Sequence, residues 1–254
     1  MRVTFGVPHR HYRVTDSTND RARELVEAGA PGGTVVTARE QTAGRGRRGR
    51  VWTAPEGKAL LYSAILRPLD AHHLLLPLSV PLAICAAAEA LRPGIECAVK
   101  WPNDVWLGER KLAGVLIEAR PQDGWAVIGV GLNISIAPDE FPPDLRHPAV
   151  SLFDPAAGTR GESRRSLPAV APSGLSPSPS TAAAVLSRHL HHWVWAGEEE
   201  TLAEWRRRDA LCGREIAWED GSGVADGIDD RGNLVVVSGG DRVSLGAGEV
   251  QLRL

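Results

Sequence analysis

The sequence predicts an α+β fold: a mixed, largely antiparallel central sheet covered by helices, followed by a small C-terminal β-barrel. Three observations carry this. Apolar runs from Cys97 to Ile134 are separated only by short turns, so they pair as consecutive antiparallel strands. Helical patterns before and after them supply the cover. From Cys212 the texture changes to five short runs (REIAWE, GVADGID, NLVVV, RVSL, EVQLRL) with Gly and Asp at the turns, which marks a small barrel. The expected division is 1–210 for the larger domain and 211–254 for the barrel.

In chain order, RHYRVT (10–15) reads as a strand and leads through Asp16 into a helix, DRARELVEA, that closes at Gly29. Ser17 or Thr18 is placed to cap that helix, and Asp20 complements its dipole. TVVTARE (34–40) and ALLYSAIL (59–66) are strands, the second apolar throughout and therefore buried. Residues 74–92 form a core helix with prolines near its start, and both early helices are expected on one face of the sheet. CAVKWPNDVWL and RKLAGVLIEAR make a hairpin about Gly108-Glu109, and WAVIGVGLNI (125–134) adds a third strand. A Pro/Ser-rich segment at 155–180 reads as a mobile insertion without a packed core. Two helices, TAAAVLSRHLHHWVWAG and TLAEWRRRDAL, then lead to the barrel.

Composition excludes several classes. No apolar run is long enough to span a bilayer, and MRVTFGVPHRH lacks the apolar stretch of a secretory signal. Three scattered cysteines (Cys85, Cys97, Cys212) fit reduced thiols in a cytoplasmic protein rather than a disulfide framework or zinc site. The net charge of −2 makes basic character a local matter. That locality is GRGRRGR (44–50), which with Arg39 gathers five arginines. Its glycines match the spelling of a dinucleotide-binding turn, but no helix follows to face a pyrophosphate. It sits between core strands, with Trp52 its one nearby aromatic, which argues against a nucleic-acid-binding tail. A loop this positive awaits an anion.

The scarce residue types point to the same place. The chain has 26 arginines but only three lysines, four asparagines and three glutamines. Asn19 falls in STND, Gln41 in EQTAGRG, Asn103 and Lys100 in KWPND, Lys111 in RKLAG and Asn133 in GVGLNI. Amide and lysine donors beside an arginine loop suit a small polar ligand together with a phosphate-bearing one. By contrast, HLHH (189–192) and the tryptophans at 193, 195 and 205 read as ordinary surface and core positions of late helices. No Ser/His/Asp or Cys/His set stands out as a nucleophilic site.

STND, EQTAGRGRRGRVW, KWPNDVWLGERKLAGVLIEA and VIGVGLNI, in this order over roughly residues 10–135, resemble the signature blocks of biotin–protein ligases. The resemblance implies the class II synthetase-like biotin/lipoate ligase fold with an SH3-like C-terminal barrel. It implies a biotin site at Ser17, Thr18, Asn19, Gln41, Arg45, Gly46, Arg47, Lys111 and Gly114. ATP and the adenylate fall to Arg45, Arg48, Trp52, Lys100, Asn103 and Asn133, with catalysis by Lys111, Arg45 and Arg47. Asp104 is an indirect magnesium contact in this reading. ATP with Mg2+ and biotin are then substrates, and no tightly bound cofactor is expected. The expected partner is a biotin carboxyl carrier domain of an acyl-CoA carboxylase, with a second copy of the chain in a homodimer as an option. No membrane partner is expected, and no DNA either, because the first block begins at residue 17 and leaves no room for the winged-helix domain of the family's repressors. Lipoate–protein ligases share the fold but lack the GRGRRGR and KWPND blocks.

Overall fold

The computed structural model of the protein describes residues 2–153, 176–246 and 250–252. A seven-stranded sheet forms the larger part. It contains β1 (His9–Thr15), β2 (Val35–Gln41), β3 (Ala59–Leu66), β4 (Cys97–Lys100), β5 (Asp104–Leu107), β6 (Arg110–Arg120) and β7 (Trp125–Asn133), in the spatial order β1-β2-β3-β7-β6-β5-β4. It is mixed because β1 and β2 run parallel, joined through helix α1 (Thr18–Glu27); the other neighbours are antiparallel. The expected hairpin strand CAVKWPNDVWL is divided into β4 and β5 by a turn at Trp101–Asn103. Pro102 has no N–H to donate and cannot extend a central ladder.

Helices cover both faces, where the sequence pattern placed the early ones on a single face. Side chains alternate along β3. Leu60, Tyr62, Ala64 and Leu66 join the large core under α2 (Leu76–Leu91) and α3 (Pro179–Val194), while Ile65 joins Ala22 and Val26 of α1 on the other side. All eight residues of β3 are buried, which explains its unbroken apolar sequence. The proposed insertion at 155–180 falls largely on residues 154–175, outside the described residues; its last positions open α3, capped by Ser178 through a bond from the Thr181 N–H at 3.1 Å.

α4 (Glu198–Arg208) leads to the second sheet and is anchored through one arginine. The Arg208 side chain, 8% exposed, donates to Glu89 Oε2 of α2 at 3.0 Å, to Glu204 Oε1 at 2.6 Å and to the Cys97 carbonyl at 2.9 Å. Beyond it, the Ala210 N–H donates to the Val99 carbonyl at 2.9 Å, so the linker runs beside β4 at that edge of the sheet. The C-terminal sheet holds β8 (Glu215–Trp218), β9 (Gly221–Ile228), β10 (Leu234–Ser238), β11 (Asp241–Leu245) and β12 (Gln251–Leu252), in the order β11-β10-β9-β8-β12. It is SH3-like, but among the described residues no ladder joins β11 to β12, so the expected barrel is an open antiparallel sheet. It meets the larger sheet at the KWPND turn, where the Trp101 indole donates to the Gly232 carbonyl at 3.1 Å and the Lys100 ammonium to the Val250 carbonyl at 3.0 Å.

Removing the buried arginine takes away the partner of Glu89 and leaves Glu204 with Arg207 alone, so Arg208→Ala should lower stability by about 3 kcal/mol. A scanning-calorimetry midpoint about 6–12 °C lower is expected for a chain of this size. Hydrogen bonds from Arg207 and Arg208 hold the Glu204 carboxyl at about 2, below its usual 4.5. A depressed folded-state pKa stabilises above the unfolded value, and that gain is lost as pH falls through the folded one. The stability gap between wild type and Glu204→Gln, measured by urea unfolding, should therefore be full above pH 4.5 and close towards about pH 2.

Candidate functional site

A cavity of about 500 Å³ opens over β6 and β7, walled by the start of α1, the arginine loop and residues 141–149. Its floor is glycine. Gly114 of β6 lies opposite Gly131 of β7, and Gly129 lies one pleat further along. A Cβ on Gly129 would sit 2.2 Å from Asn19 Oδ1, and one on Gly131 would sit 2.3 Å from the Trp52 indole. At Gly114 the indole and Lys111 Nζ would stand at 3.2 and 3.3 Å. Glycine inside a strand weakens it, and here it lets other groups approach the backbone closely.

One wall is a buried polar chain. The Thr18 N–H and hydroxyl both donate to Gln41 Oε1, at 2.7 and 2.9 Å. Ser63 Oγ stands 2.8 Å from Thr18 Oγ1 and 2.6 Å from Asn19 Oδ1, and the Asn19 amide donates to Glu118 Oε2 at 2.8 Å. Ser17 occupies the N-cap of α1, but its hydroxyl makes no capping bond and the residue lines the cavity. These side chains fix one another's amide orientations, so the wall presents both donors and acceptors in set positions.

The opposite side is positive. Gly44 to Trp52 fold back on themselves, with the Trp52 N–H donating to the Gly44 carbonyl at 2.9 Å and the Gly46 N–H to the Arg50 carbonyl at 2.7 Å. Arg48 takes a left-handed conformation (φ 53°), a strained state for a residue with a side chain. Arg45 pairs with Asp20 at 2.7 Å and Glu118 at 3.3 Å. Arg47 donates to Asn103 Oδ1 at 3.3 Å. Lys111 Nζ lies 2.7 Å from Asp104 Oδ1 and 5.8 Å from the centre of the Trp52 ring. Among the described residues the buried Trp52 indole N–H meets no acceptor, which leaves a donor within the cavity wall.

Of the residues singled out from sequence, Ser17, Thr18, Asn19, Gln41, Arg45, Gly46, Arg47, Trp52, Asn103, Lys111, Gly114 and Asn133 line this one cavity. Three lie elsewhere. Arg48 borders a second cavity. Lys100 is buried, with its ammonium bonded to the C-terminal Val250 carbonyl. Asp104 meets the site through Lys111. Asn133 spends its amide on the backbone, donating to the Val150 carbonyl at 3.1 Å, and so secures the 148–150 segment beside Lys111. Among the described residues no group of three or more His, Cys, Asp or Glu converges on a metal position, HLHH included.

Sequence reasoning missed Gly129, Gly131, Asp20, Glu118, Phe141, Leu145 and His147. Alternating glycines in an otherwise apolar strand were a usable signal for the first two. Glu118 was readable as a carboxylate in the apolar run LAGVLIEA. Nothing in EFPPDLRH marks His147, which reaches the cavity because residues 148–150 bond to Lys111. Burial, and then the Lys100 charge, lower the His147 pKa below 6.5, so its imidazole is neutral at neutral pH.

Two carboxylates hold Arg45, so their charge should restrain the loop. In Asp20→Asn/Glu118→Gln, the hydrogen-bonded amides of Gly46 and Trp52 should exchange about tenfold faster by hydrogen-exchange mass spectrometry, with the core amides unchanged.

Comparison with known proteins identifies the family. Residues 11–135 match the Biotin/lipoate A/B protein ligase family, and residues 211–253 match the Biotin protein ligase C terminal domain. The chain is 38% identical over 155 residues to the bifunctional ligase/repressor BirA of Bacillus subtilis, covering 59% of this chain but 47% of that protein. It thus spans about half the length of that relative. Against the biotin–[acetyl-CoA-carboxylase] ligase of Mycobacterium tuberculosis it is 34% identical over 266 residues, covering 98% of this chain and 91% of the relative. The Aquifex aeolicus biotin protein ligase, solved in complex with biotin and ATP, superposes with a TM-score of 0.77 at 25% identity over 98% of this chain and 99% of that one. The chain belongs to the biotin/lipoate A/B protein ligase family, among its biotin protein ligases.

Proposed function

We propose that the protein is an ATP-dependent biotin–[acetyl-CoA-carboxylase] ligase, which makes biotinyl-5′-AMP and passes biotin to a lysine of a biotin carboxyl carrier domain. The observation that carries this reading is the glycine floor lying between a donor-and-acceptor wall and a cationic end. A flat bicyclic ureido ring suits the wall of Thr18, Asn19 and Gln41. The phosphate end suits Lys111, Arg45 and Arg47. Lipoate has no ureido group to exchange hydrogen bonds with this wall.

In the first half-reaction a biotin carboxylate oxygen attacks the α-phosphorus of Mg·ATP. A new P–O bond forms, the bond to the β-phosphate bridging oxygen breaks, and pyrophosphate leaves. Lys111 stands where negative charge grows on the α-phosphoryl oxygens, with Asp104 fixing its position. Magnesium arrives with ATP as part of the substrate. Asp104, whose Oδ1 is engaged by Lys111, fits an outer contact through water rather than a direct ligand. In the second half-reaction the ε-amine of the carrier lysine attacks the acyl carbon, the C–O bond to AMP breaks, and the amide nitrogen loses its extra proton to a base. The arginine loop covers the anhydride against water meanwhile. No enzyme nucleophile is required. Among the described residues no helix is long and apolar enough to cross a membrane, and we place the reaction in the cytoplasm with the carboxylases it serves.

Lys111→Ala should reduce biotinyl-AMP formation about a hundredfold or more, since one well-placed donor contributes roughly 3 kcal/mol. Rapid-quench measurement with labelled ATP reads this. An adenylation rate within a few-fold of wild type would mean the reacting centre lies elsewhere. Gly129→Ala pushes a methyl group into Asn19 and should raise the biotin Kd at least tenfold by calorimetry, with ATP binding little changed. Offering biotin and lipoate in parallel, with ATP and a carrier domain, tests the substrate itself: transfer of lipoate alone would defeat the proposal.

A further inference from the structure

A second cavity, of about 400 Å³, lies across Arg47 and Asn103 from the first. Its walls are largely apolar, with Leu75 and Leu78 at the start of α2 and Trp101 and Pro102 of the KWPND turn. The C-terminal sheet completes it through Arg231 to Asn233, held there by the Trp101–Gly232 bond. Its charged lining is Arg47, Arg48 and Arg231, and among the described residues no carboxylate contributes. In a chain of net charge −2 this is a localised positive rim. Leu74, also in the lining, is 73% exposed. Arg47, Asn103, Val115 and Leu116 line both cavities, so the two are contiguous.

The proposed reaction sets a geometric requirement. A folded acceptor cannot enter a 500 Å³ cavity, so it must seat outside and extend one lysine to the anhydride. Its seat must therefore adjoin the adenylate cavity, leaving a boundary that a lysine side chain can cross. The second cavity meets this requirement at Arg47 and Asn103. Its apolar walls would take an apolar side chain flanking the lysine, and its rim of guanidinium groups would take carboxylates around that side chain.

Resting on the ligase reading above, we propose that the second cavity is the docking seat of the acceptor protein: an acidic lysine-bearing turn, with an apolar neighbour of the lysine inserted between α2 and the C-terminal sheet. Both domains then build the acceptor site, and Leu74 and Arg231 determine recognition without touching the adenylate. The rival occupant is the polyphosphate end of ATP, which the same arginines could attract.

Two variants of the full chain, Leu74→Asp and Arg231→Glu, separate these. Biotin-dependent exchange of labelled pyrophosphate into ATP reads the first half-reaction, and biotin transfer to a titrated carboxyl carrier domain reads the second. Both variants should keep exchange within about twofold of wild type while the KM for the carrier rises about tenfold. Arg231→Glu should also flatten the rise of that KM with salt. An unchanged carrier KM in both variants overturns the proposal. So does a raised KM for ATP in the exchange assay, which would assign the cavity to phosphate. Absence of exchange in the wild-type protein would instead defeat the ligase reading, so the two failures are distinct.

Discussion

The site depends on one constraint: two central strands that carry glycine at three positions beneath it. Strands β6 and β7 could pair with any residues at 114, 129 and 131, and the ladder would be stronger with valine than with glycine. At each position a Cβ would meet a group of the site at contact distance or closer: Asn19 at one, the Trp52 indole at another, Trp52 and Lys111 at the third. The sheet gives up packing on this face so that polar side chains and an indole can lie on its backbone. That sacrifice is affordable because the opposite face, under α2 and α3, is fully packed by Val115, Ile128, Val130 and Leu132 among others.

Electrostatics then divides the cavity. The amide-rich wall is assembled by hydrogen bonds that run from Gln41 to the Glu118 carboxylate, and Thr18, Asn19 and Ser63 within it are buried enough that each needs its partner. At the other end, Arg45, Arg47 and Lys111 each meet an oxygen of Asp20 or Glu118, of Asn103 and of Asp104. These oxygens hold the cations in place while leaving them able to turn to a phosphate, a stronger and more highly charged acceptor. Glu118 belongs to both systems, bonding Asn19 and pairing with Arg45. It links recognition of the ring to placement of the loop.

Much of this was legible in the sequence, for physical reasons. Strand β3 is apolar throughout because both faces are covered, and the five-strand texture after Cys212 reflects short strands with Gly and Asp turns. The unequal use of lysine and arginine exposed Lys111 because a generic positive charge in this chain is written as Arg. Other features depended on tertiary contacts that local patterns do not encode. Lys100 shares the KWPND block, yet its ammonium is directed to the carbonyl of Val250, 150 positions away. His147 enters the cavity because its neighbours bond to Lys111, and Asp20 reads locally as a helix-dipole carboxylate although it pairs with Arg45. The opposite placement of α1 and α2 follows from which parity of β3 each helix meets, a choice open to a strand apolar on both sides.

A crystal structure of the full chain with a non-hydrolysable biotinyl-AMP analogue would show directly whether the glycine floor holds the ligand. The bicyclic ring should lie over Gly129, bonded by Thr18, Asn19 and Gln41, with the phosphate at Lys111 and the arginine loop closed above it. An analogue bound away from the glycine floor, or with its phosphate remote from Lys111, would contradict it.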